Sequence, residues 1–110
     1  MSAWTVVYYS DERDRYPVLE FVRSLSSIEQ AAIAYDVDLL EEFGLQAPHV
    51  RHIEGTLWEL KSGSARIFYV AYTGKQFVLL HGYRKKGQKA PAREIETARR
   101  RLADLLQRGT

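Results

Sequence analysis

TLWELKSGSARIFYVAYTGKQFVLLHGYRKKGQK, residues 56–89, is the stretch whose reading decides the fold. It holds three strand-like runs, Thr56–Lys61, Ala65–Tyr72 and Gln76–Tyr83, rich in β-branched and aromatic residues. The breaks between them are Ser62-Gly63-Ser64 and Thr73-Gly74-Lys75. Each centres on a glycine, which supplies the positive φ of a tight hairpin turn. Two adjacent hairpins follow, and with them an antiparallel meander. Period-2 alternation sorts its faces. Trp58 and Leu60 oppose Leu57, Glu59 and Lys61; Ile67, Tyr69 and Ala71 oppose Arg66, Phe68, Val70 and Tyr72. In the third run Val78, Leu80 and Gly82 oppose Phe77, Leu79, His81 and Tyr83. Lys61 ends one run and Arg66 begins the next, so the turn brings them close, with Glu59 as a surface ion-pair partner for Arg66.

Outward from the meander, Trp4–Tyr9 reads as a further strand and Ser10–Arg15 as a turn. Pro17 suits the first turn of a helix, with Val18, Phe21, Val22 and Leu25 as its apolar stripe. Ser26-Ser27-Ile28-Glu29 has the form of a capping box, so a second helix starts there. Its apolar period runs through Ile28, Ala32, Tyr35, Leu39 and Phe43, it stops at Gly44, and Asp36, Asp38, Glu41 and Glu42 form a solvated outer face. Leu45–Gly55 reads as a connector. It carries His49 and His52, but Pro48 argues against a helix there and no third ligand has suitable spacing, so these are loop histidines rather than a metal site. Pro91 opens the last helix, striped by Ile95, Ala98, Leu102 and Leu105 and ended by Gly109. Arg93, Arg99, Arg100, Arg101 and Arg108 lie off that stripe, as a solvated face or as phosphate contacts. The order β-α-α-β-β-β-α predicts a single α+β domain over residues 1–110, two layers deep, with a mainly antiparallel sheet and its helices on one face.

Cysteine is absent from the 110 residues, which excludes disulfides and thiolate chemistry. No apolar run approaches the ~20 residues of a membrane span, so the expectation is a soluble, cytoplasmic protein without a membrane partner. Charge is unevenly spread. Residues 1–60 carry 4 Lys/Arg against 11 Asp/Glu, and residues 61–110 carry 12 against 3. A basic half bearing hairpins and a helix suits a polyanion such as nucleic acid; the alternative is that the two halves pair with each other.

Arg84, Lys85, Lys86 and Lys89 leave the third run and join Lys61 and Arg66 beside His81, Tyr69 and Tyr83. There is no carboxylate pair for hydrolysis, no phosphate-binding glycine loop, no Ser–His–Asp set and no metal-ligand set. RNA cleavage by internal attack of the 2′-OH needs none of these. The RNA brings the nucleophile, and the protein supplies a base, cations for the charge on phosphorus and an acid for the 5′-oxygen. No cofactor and no metal are expected.

LWELK, then RIFY, then FVLLHGYRKKGQKAP, then EIETAR, with PVLEF in the first helix, together resemble the RelE-like toxin superfamily and in particular its HigB-type, phage-derived branch. The resemblance covers about Trp4 to Leu106; Tyr83 stands where that pattern has Phe, and Ala90 where it has Thr. It implies a RelE-like fold and the toxin of a type II toxin–antitoxin pair. Such a toxin is an mRNA endoribonuclease acting on the translating ribosome, restrained by a helix-turn-helix antitoxin of the HigA type. By position Lys61, Arg66, Lys85 and Lys86 match that family's basic active-site residues. With the residues read above, the catalytic candidates are Arg66, Lys61, Lys85, Tyr83 and His81, and the RNA-binding ones Lys86, Lys89, Arg84 and Tyr69. The superfamily also holds ParE-like gyrase inhibitors, so a non-enzymatic inhibitor and an RNA-binding phage accessory protein remain the alternatives.

Overall fold

A computed structural model of the chain describes residues 4–87 and 91–108. The three runs of the meander form as read: β3 (Leu57–Ser62), β4 (Ala65–Tyr72) and β5 (Gln76–Arg84) pair antiparallel in sequence order. Two further strands flank them. The first, β1 (Thr5–Tyr8), pairs parallel with β5, and β2 (Val50–Glu54) pairs antiparallel with β3. The sheet order is therefore β1-β5-β4-β3-β2. The connector expected over Leu45–Gly55 is thus a 3-10 turn, Gly44–Gln46, followed by a strand. VRHIE lacks a clean alternation because a bulge interrupts the pairing between His52 and Glu54, which hid the strand.

The helices α1 (Pro17–Arg23), α2 (Ser27–Phe43) and α3 (Ala92–Arg108) do not share one face. Val18, Ile33 and Leu40 of α1 and α2 pack with Leu60, Ile67, Tyr69, Phe77 and Leu79. Ala98 and Leu105 of α3 pack with Leu57, Phe68, Val70, Val78 and Leu80. Because strand side chains alternate, these are opposite faces, and the domain has three layers rather than the expected two. The meander's strands are apolar on both sides, the mark of a covered sheet.

The stripe expected to bury α2 faces outward. Ile28, Tyr35 and Phe43 are exposed, and the core side carries Ile33, Asp36 and Leu40. The capping box is present, with the Ser26 hydroxyl accepting from the Glu29 amide and the Glu29 carboxylate accepting from the Ser26 amide. Gly44 closes α2 at φ 63°, against the Trp4 indole; a Cβ there would meet Trp4 Nε1 at 2.5 Å, so only glycine fits.

The decisive local feature is a bulge in β5. Tyr69 pairs with Leu79 and Phe68 with His81, so Leu80 is the extra residue. Strict alternation put His81 and Tyr83 with Phe77 and Leu79. The bulge reverses the phase, placing His81 and Tyr83 on the α3 face beside Arg66 and Phe68, and turning Gly82 toward Phe21.

Candidate active site

Two cross-strand rows build the site on the α3 face. One runs Arg51, Glu59, Phe68, His81 across β2 to β5; the next runs Lys61, Arg66, Tyr83 across β3 to β5. His49 extends the second row, since its carbonyl accepts from the Lys61 amide at 2.8 Å. Lys85 follows β5, its amide donating to Ser64 O at 2.8 Å. Together His49, Val50, Arg51, Glu59, Lys61, Arg66 and Lys85 line a cleft of about 180 Å3.

Glu59 is the floor of the cleft and is 3% exposed. A buried carboxylate must be paired, and this one accepts two hydrogen bonds and faces a second guanidinium. Arg51 Nη2 donates to Oε1 at 3.0 Å, Tyr83 Oη to Oε2 at 3.0 Å, and Arg66 Nε stands 3.9 Å from Oε1. Arg66 is held from the other side by the β3–β4 turn, where its Nη1 donates to Gly63 O at 2.6 Å and Ala65 O at 3.0 Å. With a side chain only 11% exposed, it is no surface ion pair. Its Nη2 has no partner among the described residues. Burial, and then the Glu59 charge, push the Tyr83 phenol far above its ordinary value, so Tyr83 is a neutral donor.

The cleft thus gathers Lys61, Arg66 and Lys85 from the sequence-based candidates, with Tyr83 behind Glu59. Other candidates lie elsewhere. Tyr69 is fully buried in the α1/α2 core, edge-on to Phe77, and no RNA contact is open to it. Arg84 alternates to the α1/α2 face and donates to Glu29 at 2.7 Å and Ser64 Oγ at 2.8 Å. His81 sits one row inward, beneath the start of α3. Arg101 Nη1 lies 3.0 Å from its Nδ1; an arginine only donates, so Nδ1 accepts and Nε2–H donates to Glu94 at 2.6 Å. Both nitrogens are engaged, and burial lowers the His81 pKa against the opposing pull of Glu94. Lys86 is exposed beyond the cleft, and Lys89 lies outside the described residues.

Sequence reasoning missed Glu59 as the organiser, and Arg51 and His49 as lining residues. A glutamate among apolar strand residues in LWELK was the available signal for the first. Arg51 and His49 depend on β2, which gave none. A larger cleft of about 330 Å3, lined by Tyr9, Asp11, Glu12, Arg15, Arg100, Arg101 and Asp104, mixes charges of both signs and does not concentrate cations.

Residues 20–103 match the family profile described as phage derived protein Gp49-like. No curated protein matches the chain in sequence.

Proposed function

We propose, on the premise that the chain belongs to the phage-derived Gp49-like family within the RelE toxin-like superfamily, that it is a HigB-type mRNA endoribonuclease. It is then the toxin of a type II toxin–antitoxin pair, acts in the cytoplasm on mRNA at the translating ribosome, and is restrained by a HigA-type helix-turn-helix antitoxin. The family is typically a toxin paired with an antitoxin, which agrees with this reading.

The observation that carries it is the convergence of Arg66, Lys61 and Lys85 on one cleft. In-line attack by a ribose 2′-OH piles negative charge on the non-bridging phosphate oxygens. A guanidinium held by two turn carbonyls and a buried carboxylate is preorganised to meet that charge, and its free Nη2 faces the task without reorganisation. Lys61 and Lys85 add mobile positive charge at the rim. Glu59 and Tyr83 brace the arginine and do not touch phosphate. These cations do the work a metal does in other nucleases, and cleavage is expected to persist in EDTA as far as the ribosome tolerates it.

The test is Arg66→Ala, assayed for cleavage of mRNA on ribosomes. Cleavage is expected to fall on the order of 10²-fold or more, the scale of losing one preorganised donor. Cleavage at the wild-type rate by a folded Arg66→Ala protein removes Arg66 from the site. Intact mRNA with the wild-type protein, together with supercoiling defects in cells, moves the function to gyrase inhibition.

A further inference from the structure

The cleft holds cations for phosphate, but the groups described so far leave the proton of the 2′-OH without an acceptor. Glu59 has both oxygens occupied by Arg51 and Tyr83 and is buried. His81 has both nitrogens engaged. Tyr83 is a donor. His49 is different. It lines the same cleft, its side chain is 58% exposed, and its Nε2 has no partner among the described residues. Its Nδ1 lies 3.3 Å from Asp36 Oδ1, on a side chain 10% exposed on the core side of α2. A carboxylate accepts, so Nδ1 carries the hydrogen and Nε2 keeps the lone pair. The backbone fixes the same residue from below: His49 adopts φ 66°, and its carbonyl is bound by the Lys61 amide.

We propose that His49 is the general base of the cleavage reaction and Asp36 the residue that positions it. This rests on the endoribonuclease reading. Nε2 takes the 2′-OH proton as the O2′–P bond forms. The P–O5′ bond breaks, and O5′ leaves with a proton from the ammonium groups of the cleft. The products are a 2′,3′-cyclic phosphate and a 5′-hydroxyl. Asp36 holds the imidazole in the tautomer that exposes Nε2 and faces the imidazolium as it forms. The other charged groups around the ring are Arg51 from β2, Glu59 and Lys61 from β3, Arg66 from β4 and Lys85 after β5. A largely buried aspartate bonded to the histidine of a cation cleft has the form of a base and its orienter, and no second hydrogen bond holds the ring among the described residues.

Single-turnover cleavage of a defined mRNA on ribosomes, followed from about pH 5.5 to 8.5 where imidazoles titrate, tests this. Wild-type protein is expected to speed up with pH and then level off. His49→Ala is expected to lose that rise, to cleave on the order of 10²- to 10⁴-fold more slowly, and to recover part of the rate in added imidazole. His49→Gln keeps a hydrogen bond to Asp36 without a base and is expected to be as slow, with an unchanged melting temperature. Asp36→Asn is expected to slow cleavage less and displace the pH profile. If His49→Ala and His49→Gln keep the wild-type rate and profile while Arg66→Ala is inactive, His49 is not the base and the nuclease reading stands. If wild-type protein leaves the mRNA intact, both fall together.

Discussion

Glu59 accepts from Arg51 and Tyr83, and its charge faces the Arg66 guanidinium at 3.9 Å. Replacing it with Gln leaves Arg66 and Tyr83 in place but removes the charge that holds them. Glu59→Gln is expected to lower folding stability by about 1–3 kcal/mol, the cost of disturbing a buried charged hydrogen-bond set, and to slow cleavage through Arg66. Urea unfolding and the cleavage rate of the same protein check both. Tyr83 gives a pH signature. A phenol ionises near pH 10 when unfolded, whereas folded Tyr83 keeps its proton well above that, because burial and the Glu59 charge disfavour the phenolate. The folded chain then binds more protons than the unfolded one. Its advantage is complete below about pH 10 and is lost as pH rises further. Melting temperature followed above pH 10 is expected to fall less steeply in Tyr83→Phe than in wild type. At this scale the closeness of Lys61 and Arg66 was legible, because a short glycine turn fixes it. The burial of Arg66 was not, because it goes with the floor carboxylate Glu59, which Arg51 of β2 also binds, and β2 is not local to the residue.

Among the elements, α2 shows why periodicity misleads. Ile28, Ala32, Tyr35, Leu39 and Phe43 keep a good helical period, yet the helix buries Ile33 and Leu40 with Asp36 between them. The polar Asp36 masked the core stripe, and the stripe read from sequence is the solvent side. Its capping box was legible because it depends on residues only three apart. That cap is tied to the sheet, since Arg84 donates to Glu29 at 2.7 Å. This hydrogen bond, then those from Ser26, hold the Glu29 carboxyl down to about 2 from 4.5. A depressed carboxylate contributes above its unfolded pKa and loses its contribution as pH falls toward its folded one. The window is therefore pH 4.5 down to about 2, and Glu29→Gln is expected to flatten the loss of melting temperature there. β5 carries the second lesson: two adjacent leucines, Leu79 and Leu80, hide a bulge that period-2 counting cannot see. After the bulge Gly82 faces Phe21, whose Cδ2 a Cβ would meet at 2.4 Å. Gly82→Ala is expected to cost about 1–3 kcal/mol by overpacking, measured by urea unfolding.

Over the whole molecule, the division into an acidic and a basic half has two outcomes at once. Part of it is internal pairing: Arg84 meets Glu29, Arg99 clasps Glu54 with two hydrogen bonds of 2.7 Å, and Arg66 faces Glu59. Arg101 and Arg108 also turn inward, to the carbonyls of Leu80 and Ser10. Among the described residues of the meander, Lys61, Lys75, Lys85 and Lys86 remain outside these pairs, and Lys61 and Lys85 line the cleft. Charge counting alone could not separate the two groups, because the separation depends on the third layer, which the α3 stripe announced without saying which face it covers. The strand order of the meander and all three helices were legible because hairpins, caps and stripes are short-range devices. The parallel pairing of β1 with β5 joins residues some 70 apart in sequence and had no local signal. On the function proposed above, this cation cleft cuts RNA by attack of the RNA's own 2′-OH. The most direct measurement maps the 3′ ends of cellular mRNA after the chain is expressed without a restraining partner, in wild type and in Arg66→Ala. New ends bearing 2′,3′-cyclic phosphate, coincident with growth arrest and lost in the variant, are the predicted result; growth arrest with intact mRNA contradicts the account.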